Sequence, residues 1–452
     1  MTKINKNKVI LFCSFLFVLF NNFIYTVNKA DDQEKSLLAE LEKSTGIEKS
    51  SLLNELAKFY WWNKDKSLPK KYGSQALEYA KQFKQEKEIL YSYINISHSE
   101  RRMKNYNTAR KNIKKALKIA ERRGNKQEIL DVLIPYERIY EYDNFEKKLK
   151  EVVKISNRIL SISDELGDDK TKAYFFRLLG GIYYQLGNIS KAYESYNNAI
   201  ETYKKLKNMG GVAHMLTYIG SLNRIEKNYE KALFYYFEAE AIAKKYNLKS
   251  KSCRVYSDLG NYYYKLKEYN KAIKYMDIGN EIAIETKNYF WVLVFYSEGG
   301  RVKVLQGKYK EAIENYLLKG LATIEKKSYF HELDYYLIIL LNLSKAYHQI
   351  EKPKEAYQYA LQALVNSKKN KENEYIVKSH LNLGLYHIRE RNFEIAENQL
   401  KKGLKIIKKI KNTSLQSEIY NALIQLYKEL SDEKKIQKYK TAQYKITKLN
   451  EN

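Results

Sequence analysis

The stretch Tyr174–Asn208, YFFRLLGGIYYQLGNISKAYESYNNAIETYKKLKN, has its pattern repeated forty residues on in His214–Leu248, HMLTYIGSLNRIEKNYEKALFYYFEAEAIAKKYNL. A third copy, Arg254–Asn288, RVYSDLGNYYYKLKEYNKAIKYMDIGNEIAIETKN, follows after forty more. Aligned, the copies place Gly180, Gly220, Gly260 and Gly300 in one column and Ala192, Ala232, Ala272 and Ala312 in another, twelve residues later. After a slip of four residues the columns resume at Ser344 and Gly384, and at Ala356 and Ala396. A fixed period of 20–50 residues marks one supersecondary unit stacked many times. Within each copy apolar residues recur at three and four, which is one face of an α-helix. A short polar joint (GN, KN or KE) divides two such runs. A side chain larger than Ala or Gly at a helix crossing would hold the two backbones apart, so the small columns mark the crossings. No strand-length alternation competes, and only three prolines occur in 452 residues, consistent with long uninterrupted helices. The fold class read from this is all-α.

Leu179-Gly180-x-x-Tyr183, followed by Ala192, Tyr196 and Ala199, resembles the tetratricopeptide signature. Partial matches follow at Gly220, Ala232, Tyr236 and Ala239; at Leu259, Gly260, Tyr263 and Ala272; and at Ala312 and Tyr316. Leu343, Tyr347, Ala356 and Ala363, then Leu383, Gly384 and Ala396, continue the series, and the terminal unit keeps Tyr427. Weaker units precede it around Ala76 and Ala80, around Ala109 and Ala116, and around NFEKKLKEVVKI, where Lys148 takes the alanine slot. The resemblance covers residues 48–445 and implies a right-handed α-solenoid of about ten stacked helix-turn-helix repeats. A tetratricopeptide unit usually has about 34 residues, so the extra six are expected to lengthen the second helix and its exit loop. Irregular spacing predicts breaks in regularity near residues 140–170 and 320–335. The expected organisation is a leader at 1–30, degenerate repeats at 31–168, a regular array at 169–445 and a tail at 446–452.

Residues 1–30 have a basic start and a twelve-residue apolar run, Val9–Phe20, the layout of a secretory signal peptide. Cleavage after Ala30 would leave an exported chain, periplasmic or extracellular. Read instead as an uncleaved anchor over residues 9–27, the same segment would hold the repeats at the inner membrane. The only cysteines, Cys13 and Cys253, allow neither a disulfide framework nor a zinc site. The formal net charge is +28, or +24 without the first 30 residues, which carry four lysines and no acid. Basic residues alternate with apolar ones at helical spacing, as on a solvated helix face, and Lys, Asn, Ile and Tyr are enriched together. An anionic partner is the competing reading of the charge. Nucleic acid is disfavoured, because the cations are scattered rather than clustered.

The six histidines, His98, His214, His331, His348, His380 and His387, form no metal-binding motif, and no Walker, dinucleotide or GxSxG loop occurs. A non-catalytic chain needing no cofactor or metal is expected. Consecutive tyrosines cannot all face one way on a helix, so Tyr183 and Tyr263 fall in packing slots while Tyr184 and Tyr264 turn toward the inner wall. The resemblance places a ligand groove on the first helices. Its positions map to Tyr174, Arg177 and Tyr184; His214, Thr217 and Arg224; Arg254, Ser257, Asn261 and Tyr264; and Ser297 and Arg301. They continue at Asn342, Lys345 and His348, and at Lys378, Asn382 and Arg389. Asn342 and Lys378 match two places of the family's carboxylate clamp, while Ser297, Arg301 and Asn382 do not reproduce the others. The function read from this is a scaffold whose basic, aromatic groove takes a protein or peptide, an acidic segment included. Two alternatives are kept. One is the input component of a bacterial signalling or transcription-regulatory system, acting through a partner because no output module follows. The other is a polyanion binder. Membrane contact is expected only through the N-terminal segment.

Overall fold

Between Asp169 and Leu305 three residues join each helix to the next, and one backbone motif recurs at these joints. After the helix Asp169–Gln185, the Gly187 N–H donates to the Tyr184 carbonyl (2.9 Å) and the Asn188 N–H to the Tyr183 carbonyl (2.8 Å). This is a Schellman motif, which requires a left-handed residue between the two bonds. Asn188 then caps the next helix, its side chain accepting from the Lys191 N–H at 3.1 Å. The same pair of bonds recurs at 227/228, 247/248, 267/268, 287/288 and 307/308. The left-handed positions Gly187, Lys207, Lys227, Asn247, Lys267, Lys287 and Gly307 thus stand twenty residues apart.

Here the computed structural model describes residues 32–63, 65–140, 145–327, 333–410 and 412–448. The expected leader, with Cys13, lies outside them. Among the described residues the chain is all-α, a solenoid of ten helix pairs preceded by a helix at 32–43. No helix among them is long and apolar enough to cross a membrane. Contacts divide the chain into two units, Met1–Leu206 and Lys207–Asn452. The first unit holds four pairs and the second six. The last helix is Glu433–Lys448.

Each small residue lies where the columns require. A Cβ on Gly180 would stand 2.8 Å from Tyr196 Cζ, one on Gly220 2.8 Å from Tyr236 Cε1, and one on Gly260 2.8 Å from Met276 Cγ. The partner in every case is sixteen residues later, on the second helix of the same pair, and Gly384 meets Leu400 in the same register. Ala192, Ala232, Ala272, Ala312 and Ala396 are fully buried, and Ala356 and Ser344 nearly so. These crossings order the core. Tyr236, Phe175 and Phe295 are among the largest side chains that become fully buried, each worth roughly 1.5–3 kcal/mol of burial for its apolar part.

Two expectations are corrected. The second helix of the repeat is not the longer one: Ile189–Lys205, Tyr229–Lys245 and Tyr269–Glu285 have 17 residues, as do the first helices Asp169–Gln185, Met209–Ile225 and Lys249–Lys265. The extra length over a 34-residue unit is therefore not concentrated in the second helix. The irregularity near 320–335 begins earlier, in a π-helical turn at Ala312–Leu317. That turn inserts one residue into the second helix of its pair. Gly300 accordingly faces Leu317, seventeen residues on, where the other glycines face a residue sixteen on. Of the four-residue slip, one residue is taken up here. The remaining three fall between Gly320 and Ile339, its contact in the next pair. In the first unit the helix Phe145–Glu165 has 21 residues, inside the other region expected to be irregular.

Candidate functional site

The period brings like positions of successive first helices onto one wall. In the second unit the opening turns of Met209–Ile225, Lys249–Lys265 and Tyr289–Leu305 surround a cavity of about 330 Å³. Gly211, Lys251 and Trp291 line it from one column, His214 and Arg254 from another, with Asn208, Gly210 and Ser250 completing it. Two glycines in the first turn of a helix are poor for helix stability, yet Gly210 has a reason to be there. The Lys251 stem crosses it so closely that a Cβ would lie 2.6 Å from Nζ. The Asn208 side chain accepts from the Gly211 N–H at 3.0 Å and offsets part of the propensity cost.

Around the cavity the aromatic and charged groups form a ladder. The His214 ring stacks on Tyr218 (centroids 4.8 Å apart), and the Arg254 guanidinium lies over the same Tyr218 ring, 5.1 Å from its centroid. Arg254 Nε donates to Asp258 Oδ2 at 2.9 Å. Burial works against the Arg254 charge, but Asp258 together with Tyr218 and Tyr335 outweighs it and the guanidinium stays cationic. Burial also raises the Asp258 carboxyl, opposed by Arg254, by Thr217 and by Arg224. One repeat further, Arg301 pairs with Glu298 and covers the Tyr264 ring at 4.3 Å. Burial raises the Glu298 carboxyl, opposed by Arg301. Such cation–aromatic contacts contribute about 0.5–2 kcal/mol each.

The wall therefore carries acid as well as base. Asp258 and Glu298 stand forty residues apart, in the column that continues as Asn342 and Asn382. The sequence reading named the two asparagines as groove positions and left out the two acids, although the period that identified the former identifies the latter. Trp291 was missed as well, and its signal is the column it shares with Gly211 and Lys251.

Other expected groove residues serve the stack itself. Asn342 donates to the Ile338 carbonyl of its own helix (2.8 Å), and Asn382 reaches back to the Leu341 carbonyl of the preceding first helix (3.1 Å). Arg389 donates to the His348 carbonyl and pairs with Glu351 at 3.1 Å. Lys378 pairs with Glu374 at 2.6 Å. Lys345 is exposed, and Asn261 and His348 are half-buried. In the first unit Arg177 covers the Tyr174 ring at 5.0 Å and Tyr184 is exposed. Ser257 and Ser297 are buried, and the Ser297 hydroxyl donates to the Val294 carbonyl at 3.0 Å.

Among the described residues no three His, Cys, Asp or Glu gather as a metal site. Cys253 is buried, and burial pushes its thiol up to about 11, which keeps it protonated and unreactive at neutral pH. His331 lies outside the described residues. His380 is buried with Nδ1 2.7 Å from Gln399 Oε1. His98, in the first unit, stacks flat on Trp61 (4.6 Å, 6°), and its Nε2 donates to the Trp61 carbonyl at 3.1 Å.

Burial, then Arg101, pushes the His98 pKa down to about 4, despite that hydrogen bond. Between pH 4 and about 6.5 the unfolded chain binds a proton that the fold does not. The first unit should therefore keep its full stability above pH 6.5 and lose on the order of 3 kcal/mol as pH falls toward 4. Urea unfolding at several pH values, followed by tryptophan emission, checks this. In His98→Phe, which keeps the ring stack, that part of the loss should vanish; an unchanged slope would place the titration elsewhere.

The family model "Tetratricopeptide repeat" matches residues 90–123 and 178–208. These segments fall on the pairs Glu86–Arg102 with Tyr106–Arg123 and Asp169–Gln185 with Ile189–Lys205. No curated protein matches the chain in sequence. Among solved structures, aspartyl phosphate phosphatase F from Bacillus subtilis is 15% identical with a TM-score of 0.51, over 79% of this chain and 94% of that one. The Rap protein complexed with competence and sporulation factor is 16% identical with a TM-score of 0.50, over 80% and 98%. The apo quorum sensor NprR from B. thuringiensis is 14% identical with a TM-score of 0.50, over 89% and 98%. At these identities the likeness is one of fold.

Proposed function

We propose that this chain, a tetratricopeptide-repeat protein, is a non-catalytic binder of a protein or peptide, and that the first-helix wall of its second unit holds the ligand. The observation that carries the reading is the cavity shared by three successive first helices. Three helix N-termini border it, each with the positive end of its dipole. Lys251 adds a cation with no ion pair among the described residues. Arg254 adds a second, held in place by Asp258. An acidic side chain or a terminal carboxylate suits that corner, and Trp291 with His214 offers flat apolar area beside it. Farther along, Arg301 with Glu298 offers both signs, so the whole ligand need not be acidic.

The fold neighbours support ligand recognition as a use of such an array, one being solved with competence and sporulation factor and another being a quorum sensor. A signalling-input role would use the same wall, with the response passed to a partner. Export through residues 1–30 belongs to the proposal too, and N-terminal sequencing of chain recovered outside the cytoplasm tests it.

The test of binding is a displayed library of host-proteome peptides, with the best sequences synthesised and titrated. Peptides should retain affinity at about 0.5 M salt, where screening reaches only a few ångströms. Trp291→Ala and Arg254→Gln should each weaken them about tenfold or more, as removal of a buried aromatic or arginine anchor does. Peptides that bind both variants as well as wild type would move the site off this wall. Recovery only of polyanions released by salt would replace the reading with charge-driven binding.

A further inference from the structure

The first unit has a cavity of its own, larger than the one at the second-unit wall described above and built from different chemistry. The first helices of its leading three pairs, Gly46–Phe59, Glu86–Arg102 and Lys126–Tyr140, enclose about 420 Å³. Its floor is polar and satisfied from within. Asn54 donates to the Glu88 carboxylate (2.9 Å), Asn95 donates to Asn54 (3.1 Å), and the Trp61 indole N–H donates to Asn95 (2.7 Å). Trp61 in turn lies flat on His98. A floor tied in this way is held in one geometry before any ligand arrives, which lowers the ordering cost of binding.

The charges around this floor differ from end to end, although Lys87 stands beside the acids and Glu55 and Lys58 also line the cavity. Glu88 and Asp131 lie in the early turns of their helices, and both face Tyr91, whose hydroxyl donates to Asp131 Oδ2 at 2.8 Å. Both carboxylates raise the pKa of that phenol, after burial itself. Arg138 lies seven residues beyond Asp131 on the same helix, toward the end where Arg101 and Arg102 also act on His98. Seven residues of α-helix span about 10 Å. Arg138 makes no ion pair among the described residues, whereas Arg123, nearby in sequence, is neutralised by Glu128 at 2.7 Å. The cavity thus has an acidic end and a basic end about 10 Å apart, joined by an aromatic and amide floor.

We propose that this cavity is a separate binding site for a small dipolar molecule, with its ammonium between Glu88 and Asp131 and its carboxylate on Arg138. A free peptide of about three residues has this charge separation, since an extended chain gains 3.3–3.6 Å per residue. Its backbone amides would lie over Asn95 and Trp61. An ω-amino acid of the same length shares the terminal charges but lacks the amides. The site depends on no residue of the second-unit wall, so the two proposals stand or fall separately.

Calorimetric titration of the full chain tests it with trialanine, N-acetyl-trialanine, trialanine amide and 8-aminooctanoate. Trialanine should bind, and blocking either end should weaken it about tenfold or more, the usual consequence of losing a charge-assisted hydrogen bond. Trialanine binding tighter than 8-aminooctanoate assigns the site to peptides. Equal binding keeps the dipolar site and assigns it to ω-amino acids. Glu88→Gln, which leaves Asn54 an acceptor, and Arg138→Gln should each weaken trialanine at least tenfold, while Arg254→Gln should not change it. No binding of trialanine at millimolar concentration would overturn the proposal. So would indifference to both blocking groups, a result on the wild-type chain that does not depend on any variant folding.

Discussion

Replacing Tyr236 by Ala should destabilise the second unit by about 3–5 kcal/mol, and the loss should shrink when Gly220 becomes Ala in the same chain. The Tyr236 ring is 1% exposed and lies directly over Gly220, and its hydroxyl is 3.0 Å from Ser221 Oγ. Truncation to Ala removes the ring and leaves a cavity between the two helices of the pair. Gly220→Ala alone should cost about 1–3 kcal/mol through overpacking, less the ~1 kcal/mol that alanine contributes in a helix interior. With the ring gone the new methyl has room, limited only by the Ala232 carbonyl at 3.1 Å, and the substitution should become stabilising. A double-mutant cycle should give a coupling above about 1 kcal/mol. The natural reporter is Trp291, isolated by replacing Trp61 and Trp62, since the chain has three tryptophans. Additive effects would mean that the ring does not stand over the glycine.

The second large effect is a contrast between two deletions. Glu314 and Lys274 are both exposed and both lie in second helices. Removing Lys274 from the regular helix Tyr269–Glu285 turns every later residue by about 100°. Met276, Gly279 and Ala283 then leave the core, and a loss of ~5 kcal/mol or more is expected. Removing Glu314 from the π-helical turn should instead leave an ordinary α-helix, with Gly300 and Leu317 sixteen residues apart like the other pairs. Its cost should stay within about 1 kcal/mol, because a π-turn is an inserted residue inside a helix that is otherwise in register. Urea unfolding of the two deletion chains, side by side, measures the difference. Equal damage would show that the inserted residue is needed for the fold.

What the sequence made legible follows from what repeats. The small columns at Gly180 and Ala192 announce a crossing because no larger residue fits, and that rule is local enough to be read without coordinates. The joints were less legible, since Lys207, Lys227, Lys267 and Lys287 take a left-handed conformation that favours glycine. The four-residue slip was visible after Ala312, but its division between a π-turn and a later connection depends on which side chains Gly300 and Gly320 meet. In the second-unit wall His214 and Arg254 emerged from the period. Asp258, Glu298 and Trp291 did not, because the groove positions were carried over helix by helix instead of down each column. The first-unit cavity was not legible. Its repeats keep few small residues, and the contact of Trp61 with His98 joins positions that no period relates.

The uniform spacing of the joints also has a mechanical meaning. Within the second unit the helix pairs at 209–245 and 249–285 repeat at forty residues, and each packs on the pair next to it. Under tension such a chain has no single clasp whose rupture frees the rest, because nearest-neighbour interfaces share the load. Stretched from its ends, the array should lengthen in a staircase, each step releasing one pair and about 130–145 Å of extended chain. The pair with the π-turn and its longer connection would yield a step of odd length.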